Sequence, residues 1–285
     1  MRLKTRLKIY WRKMLTLMGA LALIAAAVTG LMIYTGHQTP EAPQQETEPE
    51  KSALLPNPYD RFSFRYEGDY LTCVDGESTL GIDVSEWQST IDWQKVRQAG
   101  VEFVMIRIGW RGGEKGELYP DSMAQNHYRG AKAAGLKVGC YFFSQAVTVA
   151  EAIEEAKYAL ELSKDWELDL PIAFDWEHTS DDFRTTYVGR ATLTACATAF
   201  CDTILAAGHE TMIYFYWDLM VNRLDLEALA EYPFWFAMYV EYTEFLDFEY
   251  RVDMWQYTIG RVPGVKEDVD INLWLTYDDQ EVAND

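Results

Sequence analysis

Beyond residue 80 the sequence alternates short β-branched and aromatic runs with longer stretches of helical period, and this alternation restricts the fold more than any other feature. Eight runs read as strands: 80–84, 103–110, 137–144, 172–177, 211–217, 234–239, 252–258 and 269–274. Helical patterns fall between them at 92–98, 122–134, 149–163, 192–207 and 224–230, and Gly100, Gly135 and Gly208 stand where helices commonly stop. Strands and helices in such alternation pair in parallel through right-handed crossovers. Eight strands in about 200 residues predict an α/β fold, an irregular TIM-like (β/α) barrel over 80–277, with an acidic tail at 278–285. The last three strands leave no room for full helices, so the irregularity is expected there.

Charge divides the chain. With 45 Asp and Glu against 25 Lys and Arg the formal net charge is −20, which argues against a nucleic-acid partner, since phosphate contacts need clustered cations. Yet Arg2, Lys4, Arg6, Lys8, Arg12 and Lys13 all lie in the first 13 residues. From Met14 to Tyr34 there is no formal charge, so 14–35 is expected to be a transmembrane anchor with 1–13 cytoplasmic and the remainder outside the cell membrane. The alternative is a signal peptide cleaved near Ala25-Ala26-Ala27, which would release the protein as a secreted one. The Pro- and Glu-rich stretch 36–56 reads as a flexible linker. The segment 57–79 contains FSFRYEGDYLTCV, the pattern of a hairpin turning near Glu67-Gly68-Asp69.

In α/β barrels working residues gather at the carboxyl ends of the strands. The fourth run, Leu170 to Phe174, is apolar and is followed by Asp175-Trp176-Glu177. Side chains of a strand alternate faces, so Asp175 and Glu177 point the same way, their β-carbons about 6.5–7 Å apart. Two carboxylates in a partly dry pocket cannot both ionise freely, and the one that keeps its proton serves as an acid near neutral pH, as glycosidic cleavage requires. Taken alone, D-x-E is common on solvated strand ends. Asp83, inside the apolar run LGIDVS, and Asp270 with Asn272, sharing a face of VDINLW, turn the pair into a constellation of four acids from three strands. Pyranose rings stack their C–H faces on aromatic side chains, and Tyr141, Tyr214, Tyr216, Trp217, Trp235, Tyr239, Trp255 and Tyr257 stand at strand ends. Cys73, Cys140, Cys196 and Cys201 lack C-x-x-C spacing and the four histidines are scattered, so neither a metal nor another cofactor is expected.

The runs GIDVSEWQ (81–88), FVMIRIGWRG (103–112), KVGCYFFSQA (137–146), PIAFDWE (171–177), IYFYW (213–217), FWFAMY (234–239), MWQYT (254–258) and VDINLW (269–274) together resemble glycoside hydrolase family 25, the muramidase (lysozyme) family. The resemblance implies hydrolysis of the β-1,4 bond between N-acetylmuramic acid and N-acetylglucosamine in peptidoglycan glycan strands. It makes Glu177 the general acid/base, Asp175 its partner, and Asp83 and Asp270 the other pocket acids; retaining, inverting and substrate-assisted routes stay open, and because the substrate carries a 2-acetamido group the expectation is that Asp175 assists that group. Tyr141, Tyr214 and Trp255 resemble substrate-contacting aromatics, and Trp235, Arg107 and Asn272 complete the substrate-binding set. The third strand departs from the family's frequent Tyr-His-Phe, reading Tyr141-Phe142-Phe143, and Met238 stands where a Gln is frequent. The competing expectations are a membrane-tethered peptidoglycan-binding protein without turnover and a chitinase-like hydrolase; a monomer is expected in each case.

Overall fold

The structure, a computed structural model, describes residues 54–60, 62–239 and 248–277. The expected anchor at 14–35, most of the linker and the tail at 278–285 lie outside the described residues, among which no helix is long and apolar enough to cross a membrane.

The described chain forms β1 (Phe64–Glu67), β2 (Tyr70–Cys73), β3 (Glu77–Val84), α1 (Trp93–Gln98), β4 (Phe103–Arg111), β5 (Leu118–Pro120), α2 (Ala124–Ala133), β6 (Lys137–Ser144), α3 (Val149–Ser163), β7 (Ile172–Trp176), α4 (Arg190–Ala206), β8 (Thr211–Tyr216), α5 (Trp217–Arg223), β9 (Phe234–Ala237), β10 (Met254–Gly260) and β11 (Val269–Thr276). Strands β3, β4, β6, β7, β8, β9, β10 and β11 pair in that order and close through β11 on β3, giving the eight-stranded barrel expected from the alternation. Asp92 and Thr148 cap α1 and α3 by accepting hydrogen bonds from the backbone N–H groups of Lys95 and Glu151.

Two expectations need correction. The fifth helical pattern, 224–230, yields only a 3₁₀ turn at Glu227–Leu229, and the helix comes earlier, with Trp217 opening α5 instead of closing a strand. Parallel pairing also fails at the eighth barrel strand: β11 runs antiparallel to both β10 and β3. Residues 261–268 are too few for a crossover, so the chain turns back in a hairpin. The reversal brings the amino-terminal half of β11 to the barrel's carboxyl end, and Asp270 pairs in register with Asp83.

Alternation along each strand separates two apolar regions. Outward residues such as Ile82, Val104, Phe142, Phe174 and Phe215 join a large core with the helices. Inward residues Phe103, Met105, Met212 and Met254 fill the amino-terminal end of the barrel, leaving the opposite end to polar side chains. The fit is tight at Gly81, where a β-carbon would collide with the Phe103 ring. Gly81→Ala is therefore expected to destabilise the domain by about 1–3 kcal/mol in denaturant unfolding, the cost of overpacking a filled interior; an unchanged midpoint would mean that Phe103 has room to move.

The hairpin at 57–79 forms as expected, with Gly68 (φ +67°) in the turn between β1 and β2. It packs over the outer face of β10: Phe64 meets Trp255 edge-on at 5.1 Å, and the Leu71 N–H donates to the Tyr257 hydroxyl at 3.2 Å. Of the linker, residues 54–56 are not free. Leu55 O accepts from Arg251 N at 2.8 Å, and the following Asn57 N donates to Glu249 O at 3.0 Å, tying this strip to the segment before β10.

Candidate active site

At the carboxyl end of the parallel strands a cavity of about 370 Å³ opens among Asp83, Asp175, Glu177 and Asp270, within the range of small-ligand sites. Strand alternation aims each acid inward: Asp83 lies two residues beyond Gly81 on β3, Asp175 two beyond Ala173 on β7, and Glu177 just past the end of β7.

The floor is a connected polar network. Asp83 Oδ2 accepts from Gln256 Nε2 at 2.9 Å and from Asn272 Nδ2 at 2.8 Å. Asn272 Oδ1 in turn accepts from the Trp235 indole N–H at 2.9 Å. An indole can only donate, which fixes the Asn272 amide with its NH2 toward Asp83. Gln256 Oε1 accepts from the Tyr214 hydroxyl at 3.3 Å, and the Tyr239 hydroxyl, 3.4 Å from Gln256 Oε1, gives its single proton to Asp270 Oδ1 at 2.9 Å. Asp175 has no such support: among the described residues its Oδ1 is buried and without a hydrogen-bond partner.

Burial raises all four carboxyl pKa values, and repulsion from neighbouring acids adds to it at Asp83, Asp175 and Glu177. Burial, then the charge of Asp270, pushes Glu177 up to about 7. For Asp175 burial comes first and the Glu177 charge second, with Arg107 pulling the other way; Asp83 is raised by burial and by Asp270. Asp270 is raised by burial against its bond from Tyr239. Such groups titrate as a set, and the half-buried Glu177 is the member poised near neutrality.

Glu177 binds its proton more tightly folded than unfolded, so its contribution is favourable below its ordinary value near 4.5 and is lost as pH rises through about 7. Glu177→Gln should therefore raise the melting temperature by a few degrees at pH 8 and by little at pH 4, as commonly seen when a strained site is relieved. An equal effect at both pH values would show that the carboxylate is not under electrostatic strain.

Of the residues expected from the sequence, the cavity gathers Asp83, Asp175, Glu177, Asp270, Arg107, Tyr141, Tyr214 and Trp235. Asn272 is fully buried beneath it and acts on Asp83. Trp255 is a correction. It alternates with the inward Met254 and Gln256, so its ring faces out, fully buried against Phe64, with its N–H donated to Met238 O at 2.7 Å. Arg107, besides lining the cavity, binds Asp121 through Nε at 2.8 Å and Glu86 through Nη2 at 3.1 Å. Gln256 was missed, although its place two residues after Met254 put it on the inward face. Trp87 and Gln88, which line the rim from the loop after β3, carried no periodic signal.

The profile of glycosyl hydrolases family 25 matches residues 82–265. An autolytic lysozyme of Clostridium acetobutylicum is 28% identical over 161 residues, covering 56% of this chain and 44% of that protein. Lysozyme M1 of Streptomyces globisporus is 27% identical over 224 residues, covering 70% and 68% respectively. The chain thus spans less than half of the first relative and about two thirds of the second. The crystal structure of a bacterial lysozyme from Streptomyces coelicolor superimposes with a TM-score of 0.53 at 26% identity, over 68% of this chain and 90% of that one. The profile covers every acid of the mouth except Asp270, which the reversed last strand supplies, and on that match the chain belongs to glycosyl hydrolases family 25.

Proposed function

We propose that the protein is a cell-wall muramidase, a lysozyme that cleaves the β-1,4 bond between N-acetylmuramic acid and N-acetylglucosamine in peptidoglycan. The observation that carries this reading is the acid pair Asp175 and Glu177 at one mouth, with Glu177 raised to about 7. Glu177 protonates the departing glycosidic oxygen while the carbonyl oxygen of the substrate's own 2-acetamido group attacks C1. Asp175 accepts the acetamido N–H, supplying the partner that its buried Oδ1 lacks, and stabilises the positive charge that develops there. Glu177, now ionised, then takes a proton from the water that opens the cyclic intermediate. The reading includes a tether: the apolar stretch 14–35 holds the enzyme at the outer side of the cell membrane, which membrane fractionation and protease accessibility in whole cells would check.

Two results test the reading. The full chain, incubated with purified peptidoglycan, should reduce turbidity and generate new reducing ends, whereas binding without new ends would indicate a wall-binding protein and preferential cutting of chitin oligomers a chitinase-like one. Because the acid must carry its proton, the rate should fall as pH rises through about 7. A rate that climbs steadily to pH 9 would contradict the role of Glu177.

A further inference from the structure

The loop after β3 combines a rigid backbone with an exposed ring. Each backbone N–H from Ser85 to Gln88 is bonded: Ser85 to Gln88 Oε1 at 3.0 Å, Glu86 to Asp121 Oδ2 at 3.0 Å, Trp87 to Ser85 Oγ at 3.3 Å and Gln88 to Ser85 O at 3.1 Å. Side chains reinforce the loop from outside. Arg107 bridges Glu86 and Asp121, and the other Glu86 oxygen accepts from Ser122 Oγ at 2.8 Å. Asp121 is buried, so the clasp is anchored in the protein body. On this loop Trp87 remains 74% exposed while its side of the loop lines the acid cavity. Scattered exposed apolar residues are ordinary, but an indole carried by a backbone held at the rim of a polar cavity offers a flat apolar face where a ligand must pass.

We infer that Trp87 is a stacking platform for a pyranose ring of the glycan strand, and that Arg107 is a positioning residue which holds the platform through Glu86 and Asp121. This rests on the proposed function. The C–H face of a sugar covers the exposed indole, while the acids in the same cavity meet the polar groups of the strand. Arg107 has its Nε and Nη2 committed to the clasp, and so works on the strand mainly through the loop.

The test is calorimetric titration of the full chain carrying Glu177→Gln with a peptide-free tetrasaccharide of alternating N-acetylglucosamine and N-acetylmuramic acid. Adding Trp87→Ala should weaken binding about 10-fold or more, and Trp87→Phe, which keeps an aromatic face, should recover most of the loss. Arg107→Met should weaken binding when Trp87 is present and change it less than twofold when Trp87 is already Ala, the non-additivity of two residues acting as a unit. In the otherwise native chain, Trp87→Ala should raise KM with kcat changed less than twofold. Tetrasaccharide binding within twofold of the parent after Trp87→Ala would overturn the platform while leaving the proposed function standing, and additive losses would overturn the role given to Arg107. If the tetrasaccharide neither binds the Glu177→Gln chain nor is cut by the native one, the proposed function itself fails, and this inference with it.

Discussion

Glu177→Gln is expected to lower the rate of peptidoglycan hydrolysis by about 10³-fold or more, with the fold intact and glycan binding retained. The substitution preserves the shape of the side chain and removes only the ability to give and take a proton at the mouth. General acid–base catalysis is worth about 10²–10⁴ in rate, and here one carboxyl serves both half-reactions, so the loss should lie toward the upper end. Two neighbouring acids are engaged elsewhere. Asp83 Oδ2 is occupied by two amide donors, and Asp270 Oδ1 by the Tyr239 hydroxyl. Turbidity clearance by the purified full chain is the check, with circular dichroism to establish folding. Near-normal clearance by a folded Glu177→Gln chain would remove Glu177 from the chemistry.

Asp175→Asn should cost about 10²–10³ in kcat with a smaller change in KM. The amide that replaces the carboxylate can still touch the acetamido group but cannot balance the positive charge formed on it, and losing one preorganised electrostatic partner of a transition state typically costs this much. Because Asp175 Oδ1 has no protein partner among the described residues, the substitution breaks no existing bond at that atom, and the loss should appear in kcat ahead of stability. The same residue separates two chemistries. A carboxylate nucleophile would form a covalent glycosyl-enzyme, whereas assistance by the acetamido group leaves Asp175 unmodified. Mass spectrometry of the quenched enzyme during turnover should show the unmodified chain. A sugar adduct on the peptide holding Asp175 would replace substrate assistance with direct attack.

The barrel was legible because its strands carry their own period and their own punctuation. All eight barrel strands form where β-branched and aromatic runs placed them, and the first four helices fall on the stretches of helical period. The acid pair was legible for the same reason: once 172–177 is a strand, Asp175 and Glu177 must share a face. Strand direction was not legible. Asp270 stands second in β11, and in a parallel strand it would have faced the apolar plug around Phe103 and Met105; only the reversal brings it beside Asp83. Trp255 was misplaced because resemblance identified the residue type without fixing its face, whereas period two along Met254, Trp255 and Gln256 would have turned it outward. Trp87 and the Glu86–Arg107–Asp121 clasp stayed hidden because loops have no period, and the bonds that define them join residues 14 to 35 positions apart.

The most direct test is the identity of the sugar left at the new reducing end. Purified peptidoglycan digested with the full chain, reduced with borohydride and hydrolysed to its sugars should yield N-acetylmuramic acid as the reduced unit, since a muramidase breaks the bond at that sugar's C1. Reduced N-acetylglucosamine in its place, or no reduced sugar at all, would contradict the assignment.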